Sequence, residues 1–67
     1  MTLGKQISRL RAAKGLSQED LANDLQVSRQ SISKWETGKG YPDISLLEPI
    51  AKEFSISVAE LIAGNMV

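Results

Sequence analysis

Apolar residues recur at every third or fourth position through most of the chain, which is the spacing of amphipathic helices. No stretch shows the strict apolar–polar alternation that predicts a half-buried strand. The pattern therefore predicts an all-α domain of five short helices. The predicted helices are helix 1 from about Leu3 to Lys14, helix 2 from about Gln18 to Leu25, helix 3 from about Arg29 to Thr37, helix 4 within Ile44 to Phe54, and helix 5 from Ser57 to about Ala63.

Capping signals mark where these helices begin and end. A polar side chain stands before the first turn of four of them, where it accepts a hydrogen bond from an unpaired backbone N–H. The candidate N-caps are Thr2, Ser17, Ser28 and Ser57. Ser17 and Ser57 are each followed three residues later by an acidic residue, which is the spacing of a capping box. Gly15 and Gly38 follow helices 1 and 3, where a left-handed C-cap is expected.

The start of helix 4 is ambiguous in the sequence. Asp43 is one candidate N-cap, and Ser45 with Glu48 forms a second capping signal two residues later. A start at Asp43 places Pro49 beyond the first turn, where its ring removes a backbone hydrogen bond and clashes with a preceding carbonyl. We therefore predict a late start or a kink near residues 45–49. The residues predicted on the buried face are Ile44, Leu47, Ile50, Ala51 and Phe54.

Helix 3 divides into an apolar and a polar half when its residues are placed about 100° apart around the axis. Ile32 and Trp35 fall in the half that must pack, and we interpret Trp35 as core. Glu36 lies at its edge, where an ion pair with Arg11 of helix 1 is expected. The outward half carries Arg29, Gln30, Ser33, Lys34 and Thr37. Because arginine and glutamine bond bidentately to guanine and adenine in the major groove, this face predicts a sequence-specific DNA-binding protein.

Composition excludes several chemistries. The 67 residues support one domain, and they include no cysteine and no histidine. Thiolate ligation of a metal is excluded, and the commonest general base and metal ligand are missing. We predict no enzyme activity, no metal or cofactor site and no small-molecule ligand. Since no apolar run approaches the roughly 18 residues of a membrane span, we expect a cytoplasmic protein, on the nucleoid when bound to DNA.

Charge is distributed unevenly although the net charge is zero. Residues 1–39 hold seven basic and four acidic side chains, whereas residues 40–67 hold one basic and four acidic side chains. The positive end of this dipole coincides with the predicted DNA-facing helix, where it favours approach to phosphates. The low total charge predicts modest, salt-sensitive affinity.

The run LSQEDLANDLQVSRQSISKWETGKGYPD resembles the helix-turn-helix domain shared by phage Cro and repressor proteins and by XRE-type bacterial regulators. The resemblance extends from about Leu3 to Gly64, since FSISVAELIAG is similar to the fifth helix of that family. It implies a compact five-helix, repressor-like DNA-binding domain over residues 1–64, with residues 65–67 as a tail. It also implies a transcriptional regulator, a repressor, although Pro49 departs from the family pattern.

The resemblance further implies roles for individual positions. The positions that match base-reading residues of the recognition helix are Arg29, Gln30, Ser33 and Lys34. The positions that match contacts to the DNA backbone are Gln18, Ser28, Thr37, Lys39 and Arg11. Arg11 and Glu36 also match a buried structural ion pair. Proteins of this family bind near-palindromic double-stranded operators as two-fold homodimers.

Two alternatives remain open at this stage. Domains of this type also serve as antitoxins or protein-docking modules, and the chain is alternatively the N-terminal DNA-binding domain of a longer regulator, since no obvious terminal cap follows Gly64. Surplus apolar residues near the C-terminus predict a homodimer interface. The residues assigned to it are Ile62, Met66 and Val67.

Overall fold

The computed structural model describes residues 2–63. Over this range the chain forms five α-helices and one 3₁₀ turn, and it contains no strand. The elements are α1 (Leu3–Ala13), α2 (Gln18–Leu25), α3 (Arg29–Glu36), the 3₁₀ turn (Ile44–Leu46), α4 (Leu47–Glu53) and α5 (Val58–Ala63). The predicted five-helix, all-α fold is confirmed. None of these helices is long and apolar enough to cross a membrane.

Four of the five helices, all except α4, begin at the predicted caps. Thr2 Oγ1 accepts a hydrogen bond from the backbone N–H of Lys5 at 3.2 Å. Ser17 and Asp20 form the reciprocal capping box at 3.0 Å in both directions, and these bonds lower the pKa of the Asp20 carboxyl. Ser57 forms the same box with a glutamate before α5. These contacts satisfy backbone N–H groups that a helix leaves unpaired at its start.

Each helix contributes one fully buried aliphatic side chain to a single core. These residues are Ile7, Leu21, Ile32, Ile50 and Leu61, all with no exposed surface. Trp35 is 6% exposed and packs in the same cluster, so its interpretation as core is confirmed. Since the core meets both α2 and α3, it fixes the helix pair that presents the candidate site.

Gly4 allows α1 to lie directly against the end of α3. A Cβ atom at this position would stand 1.8 Å from the Trp35 carbonyl oxygen and 3.2 Å from the Glu36 Cα. Both obstacles are backbone, which cannot move aside as a flexible side chain can. The absence of a side chain at Gly4 therefore sets how closely these two helices approach.

Helix 4 has the late start that the sequence predicted. Asp43 accepts a hydrogen bond from the Ser45 N–H at 3.1 Å and opens the 3₁₀ turn, after which α4 begins at Leu47. Pro49 is the third residue of α4, where its missing N–H costs no helical bond. The prediction that Ile44 lies on the buried face is wrong, because its side chain is 82% exposed. The 3₁₀ turn rotates Ile44 away from the register shared by Ile50 and Ala51.

Candidate nucleic-acid interface

The outward face of α3 and the loop after it form a shallow groove of about 320 Å³. Its lining consists of Arg29, Gln30, Ser33, Lys34, Thr37 and Lys39. Every one of these belongs to the set predicted to contact DNA. Three are cations, and no carboxylate belongs to this lining among the described residues. A groove of this kind attracts phosphate oxygens and offers hydrogen-bond donors to base edges.

The position of Lys39 follows from how α3 ends. Gly38 adopts left-handed backbone with φ of 79°, and the Lys39 N–H bonds to the Lys34 carbonyl at 2.9 Å. The Gly38 N–H bonds to the Trp35 carbonyl at 3.3 Å, completing a Schellman motif. The chain therefore folds back over the last turn of α3 and places Lys39 beside Lys34.

The same motif ends α1, α2 and α4, but with a different kind of residue. The residue after the left-handed position is Leu16, Val27 or Ile56, and each of these side chains is partly buried. An apolar residue is usual there because it packs against the helix it has just left. Lys39 is exposed instead. A local rule that is followed three times and broken once makes the loop after α3 a candidate functional surface.

The start of α3 is held by two serines. Ser28 Oγ accepts a hydrogen bond from the Ser31 N–H at 3.2 Å, so Ser28 is the N-cap that the sequence predicted. The two hydroxyl oxygens also lie 3.0 Å apart and share a hydrogen bond. Arg29, which lines the groove, is therefore in the first turn of α3, at the positive end of the helix dipole.

Three helices meet at a partly buried polar contact formed by Arg11, Gln18 and Glu36. Arg11 Nε and Nη2 donate to the two oxygens of Glu36 at 2.8 and 3.1 Å, and Arg11 Nη1 donates to the Leu16 carbonyl at 2.8 Å. Gln18 Nε2 donates to Glu36 Oε1 at 3.0 Å. The bonds with Glu36 raise the pKa of the Arg11 guanidinium. The expected Arg11–Glu36 pair is therefore formed, with Gln18 as a third member.

The predicted DNA-contacting residues thus fall into two groups. Six line the groove, whereas Arg11, Gln18 and Ser28 lie outside its lining. The Thr37 hydroxyl donates to the Ser33 carbonyl at 2.8 Å, so its hydrogen points into the helix. Since a phosphate oxygen only accepts hydrogen bonds, the Thr37 hydroxyl must rotate before it donates to DNA.

One residue and one contact of the site were not predicted from the sequence. Ser31 was assigned no role, yet its hydroxyl bonds to the Ser28 cap. The bond between Gln18 and Glu36 joins residues 18 positions apart. A contact between residues so far apart in sequence has no local sequence signal. The contact between Ser28 and Ser31 does have one, because the two serines are one helical turn apart.

Comparison with known proteins agrees with this geometry. A family model described as helix-turn-helix matches residues 7–61. The transcriptional activator BcrR of Enterococcus faecalis is 48% identical over 65 residues, covering 97% of this chain and 32% of the activator. The transcriptional repressor RstR of a cryptic phage of Vibrio cholerae is 31% identical over 56 residues, covering 84% of this chain and 50% of the repressor.

A solved structure shows the same arrangement of helices. The biofilm master regulator SinR, in a crystal structure with DNA, superposes with a TM-score of 0.82 at 29% identity. The match covers 91% of this chain and 98% of that one. The chain belongs to the helix-turn-helix family. In this family α2 and α3 are the helix-turn-helix pair, and the resemblance drawn from the sequence is confirmed.

The relatives named above are transcriptional regulators. The chain spans about a third of the length of BcrR and half that of RstR. The activities of those longer proteins therefore enter only as proposals.

Proposed function

We propose that this helix-turn-helix domain binds double-stranded DNA sequence-specifically, with α3 in the major groove. The observation that carries the proposal is the groove on α3, which has three cations among its lining residues and no carboxylate among those described. Arg29 and Gln30 reach the base edges, because both are exposed in the first turn of α3, and Ser33 and Lys34 follow one turn later. A DNA ligand places its action at the nucleoid in the cytoplasm.

The DNA backbone is held by residues that surround the reading face. In this proposal Lys39 and Thr37 contact phosphates from the loop after α3, and Ser28 and Gln18 do so from the starts of α3 and α2. Arg11 contacts a phosphate through the guanidinium N–H groups that are not bonded to Glu36 or Leu16. These contacts set the register of α3 along the duplex and carry no base preference of their own.

The regulatory sign that we propose is repression. A domain bound across a promoter blocks polymerase by occupying its site, whereas activation requires an additional favourable contact with polymerase. The relatives include both an activator and a repressor. A reporter driven by a promoter that contains the selected DNA site measures the sign. Expression that rises when the domain is supplied would contradict repression.

We further propose that two copies bind a near-palindromic operator. One helix reads only a few base pairs, so a second copy about one helical turn away adds both affinity and specificity. Ile62 of α5 is 39% exposed and is available for the predicted interface. Met66 and Val67 lie outside the described residues. A mass of one chain by light scattering at tens of micromolar, with and without DNA, would count against the dimer.

Selection of bound duplexes from a random pool, followed by substitution of two residues, tests the proposed DNA contacts. Arg29→Ala should weaken binding to the selected site by about 1–3 kcal/mol and relax the preference at one base pair. Lys39→Ala should weaken binding to all sequences alike and reduce the slope of affinity against salt by about one. An unchanged selected motif with Arg29→Ala would show that Arg29 does not read bases.

A protein-docking role is the second candidate, and one observation favours it. Tyr41 and Ile44 are 74% and 82% exposed, and both lie in the segment between α3 and α4. Large apolar side chains exposed close together in sequence are typical of contact surfaces between proteins. Tyr41→Ser with Ile44→Ser should leave DNA affinity unchanged at concentrations where the domain is monomeric. A loss of affinity there would assign this segment to the DNA site.

A further inference from the structure

We propose that Glu36 is a positioning residue for DNA binding: it fixes the side-chain amide of Gln18 so that an N–H, rather than the carbonyl oxygen, faces the DNA backbone. The inference rests on the proposed function, in which Gln18 contacts a phosphate. It assigns to Glu36 a role beyond the ion pair with Arg11. Glu36 itself does not touch the DNA.

The geometry begins with a carboxylate that is shared by two donors. Glu36 Oε1 accepts from Gln18 Nε2 at 3.0 Å and from Arg11 Nη2 at 3.1 Å, while Oε2 accepts from Arg11 Nε at 2.8 Å. The Glu36 side chain is only 8% exposed. Because an ionised carboxylate only accepts hydrogen bonds, the nitrogen end of the Gln18 amide must face it.

This orientation matters because an amide has one donating end and one accepting end. Phosphate oxygens also only accept hydrogen bonds, so Gln18 binds a phosphate through its nitrogen. Glu36 takes one hydrogen of that nitrogen, and the second hydrogen projects from the same atom. If the amide turned over, a carbonyl oxygen would stand in that direction and repel the phosphate.

Arg11 makes the position of Glu36 itself well defined. The guanidinium is planar and binds Glu36 through two nitrogens, and its third nitrogen donates to the Leu16 carbonyl at 2.8 Å. Leu16 directly precedes Ser17, the N-cap of α2, and Gln18 is the first residue of α2. Gln18 is therefore oriented by residues of α1 and α3, and its contact with DNA is coupled to the helix that reads bases.

A purely structural role for Glu36 makes a different prediction from a positioning role. If Glu36 serves only to pair with Arg11, its replacement weakens the fold and affects every DNA contact similarly. If it positions Gln18, replacement affects the contribution of Gln18 selectively. Glu36→Gln preserves size but leaves one accepting oxygen, for which Arg11 and Gln18 compete, so the nitrogen end of the Gln18 amide is no longer held toward residue 36.

A double-mutant cycle on the selected duplex separates these roles. Gln18→Ala should weaken binding about ten- to a hundredfold in the wild-type background, the effect of one charge-assisted hydrogen bond. In the Glu36→Gln background the same change should weaken binding less than about twofold. Lys39→Ala is the matched control and should cost the same in both backgrounds. An equal cost of Gln18→Ala in both backgrounds would overturn the proposal.

A measurement on the free wild-type protein covers the case in which Glu36→Gln does not fold. The bond between Gln18 Nε2 and the Glu36 carboxylate should give a through-hydrogen-bond NMR coupling between Gln18 Nε2 and Glu36 Cδ. An absent coupling, with the two amide hydrogens of Gln18 exchanging as fast as those of exposed Gln30, would also overturn the positioning. Arg29→Ala in the same titrations tests the proposed function separately, since Arg29 and Glu36 are at opposite ends of α3.

Discussion

Helices α3 and α4 both end on a glutamate, and a basic residue at the end of α1 holds each of them: Arg11 in its last turn and Lys14 as its C-cap. Arg11 binds Glu36 at 2.8 Å with side chains that are 18% and 8% exposed. Lys14 lies 3.5 Å from the Glu53 carboxylate, with side chains that are 47% and 19% exposed. A carboxylate at the end of a helix faces the negative end of the helix dipole, so each glutamate gains from a nearby cation. The bidentate, better-buried pair is the one at the end of α3, whose outward face forms the groove.

A third side chain lies beside each ion pair, and the two third side chains have opposite effects on the glutamate. Gln18 donates a hydrogen bond to Glu36, which adds to the attraction of Arg11. Asp24 instead brings a second carboxyl group beside Glu53, and a side-chain hydrogen bond with Asp24 raises the pKa of the Glu53 carboxyl. The end of α3 is therefore held by compatible partners, whereas the end of α4 is held by one attraction and one repulsion. The end of α3 is the one that leads into the loop that carries Lys39.

The largest expected effect comes from breaking the contact between α1 and the end of α3. Gly4→Ala places a Cβ 1.8 Å from the Trp35 carbonyl, which also accepts the Gly38 hydrogen bond. The helices must separate, and we expect a loss of about 3 kcal/mol or more in the free energy of unfolding. Urea denaturation followed by tryptophan fluorescence measures it, because Trp35 is the only tryptophan.

Gly40→Ala is the matched control for this prediction. The same methyl group at Gly40 lies 3.7 Å from the Lys34 Cβ, an ordinary contact. We expect a change of less than about 0.5 kcal/mol. Equal losses for Gly4→Ala and Gly40→Ala would mean that close helix approach is not what Gly4 provides.

The two ion pairs should differ in the stability that they supply. Arg11→Ala leaves Glu36 nearly buried without its cation and should cost about 2–3 kcal/mol. Lys14→Ala breaks an exposed pair and should cost less than about 1 kcal/mol. Thermal melts of both variants at low and high salt measure this, and the Lys14 effect should shrink further in salt. Similar losses of stability for both variants would show that the two ion pairs hold their helix ends equally well.

The parts of this fold that the sequence predicted depend on short-range signals. Ser17 and Ser57 cap their helices with partners three residues away, and Pro49 restricted where α4 begins. Ile44 was misplaced because helical spacing does not apply in a 3₁₀ turn. Left-handed backbone at Gln26 and Ser55 was also missed, since neither residue type signals it.

The candidate site was predictable to a similar degree. The groove-lining face of α3 followed from helical periodicity, since its residues lie within a few turns of one another. The bond from Gln18 to Glu36 depends on how α2 packs on α3 and appears only in the tertiary structure. The Thr37 hydroxyl points into α3 for a local reason, because it donates to the Ser33 carbonyl one turn earlier. Residue types therefore predicted the surface, and packing determined which atoms it presents.

The left-handed residues at the ends of α3 and α4 offer a smaller test of the comparison. Gly38 adopts φ of 79° without strain, whereas Ser55 adopts φ of 57° with a side chain that disfavours it. Ser55→Gly should raise the free energy of unfolding by about 0.5 kcal/mol, after the entropic cost of glycine is subtracted. Gly38→Ala should lower it by about 1 kcal/mol. Destabilisation by Ser55→Gly would mean that the Ser55 side chain contributes more than its backbone strain costs.

The smallest effect concerns the repulsion at the end of α4, and it depends on pH. Since folding raises the pKa of Glu53, its protonated form stabilises the fold below the unfolded pKa, and this stability is lost as pH rises through the folded pKa. Asp24→Asn should remove most of that loss and raise stability near neutral pH by about 0.3 kcal/mol. Lys14→Met should enlarge this loss of stability at rising pH, because Lys14 lowers the pKa of Glu53. Urea midpoints between about pH 4 and 7 distinguish the variants, and parallel curves would show that Asp24 does not affect the pKa of Glu53.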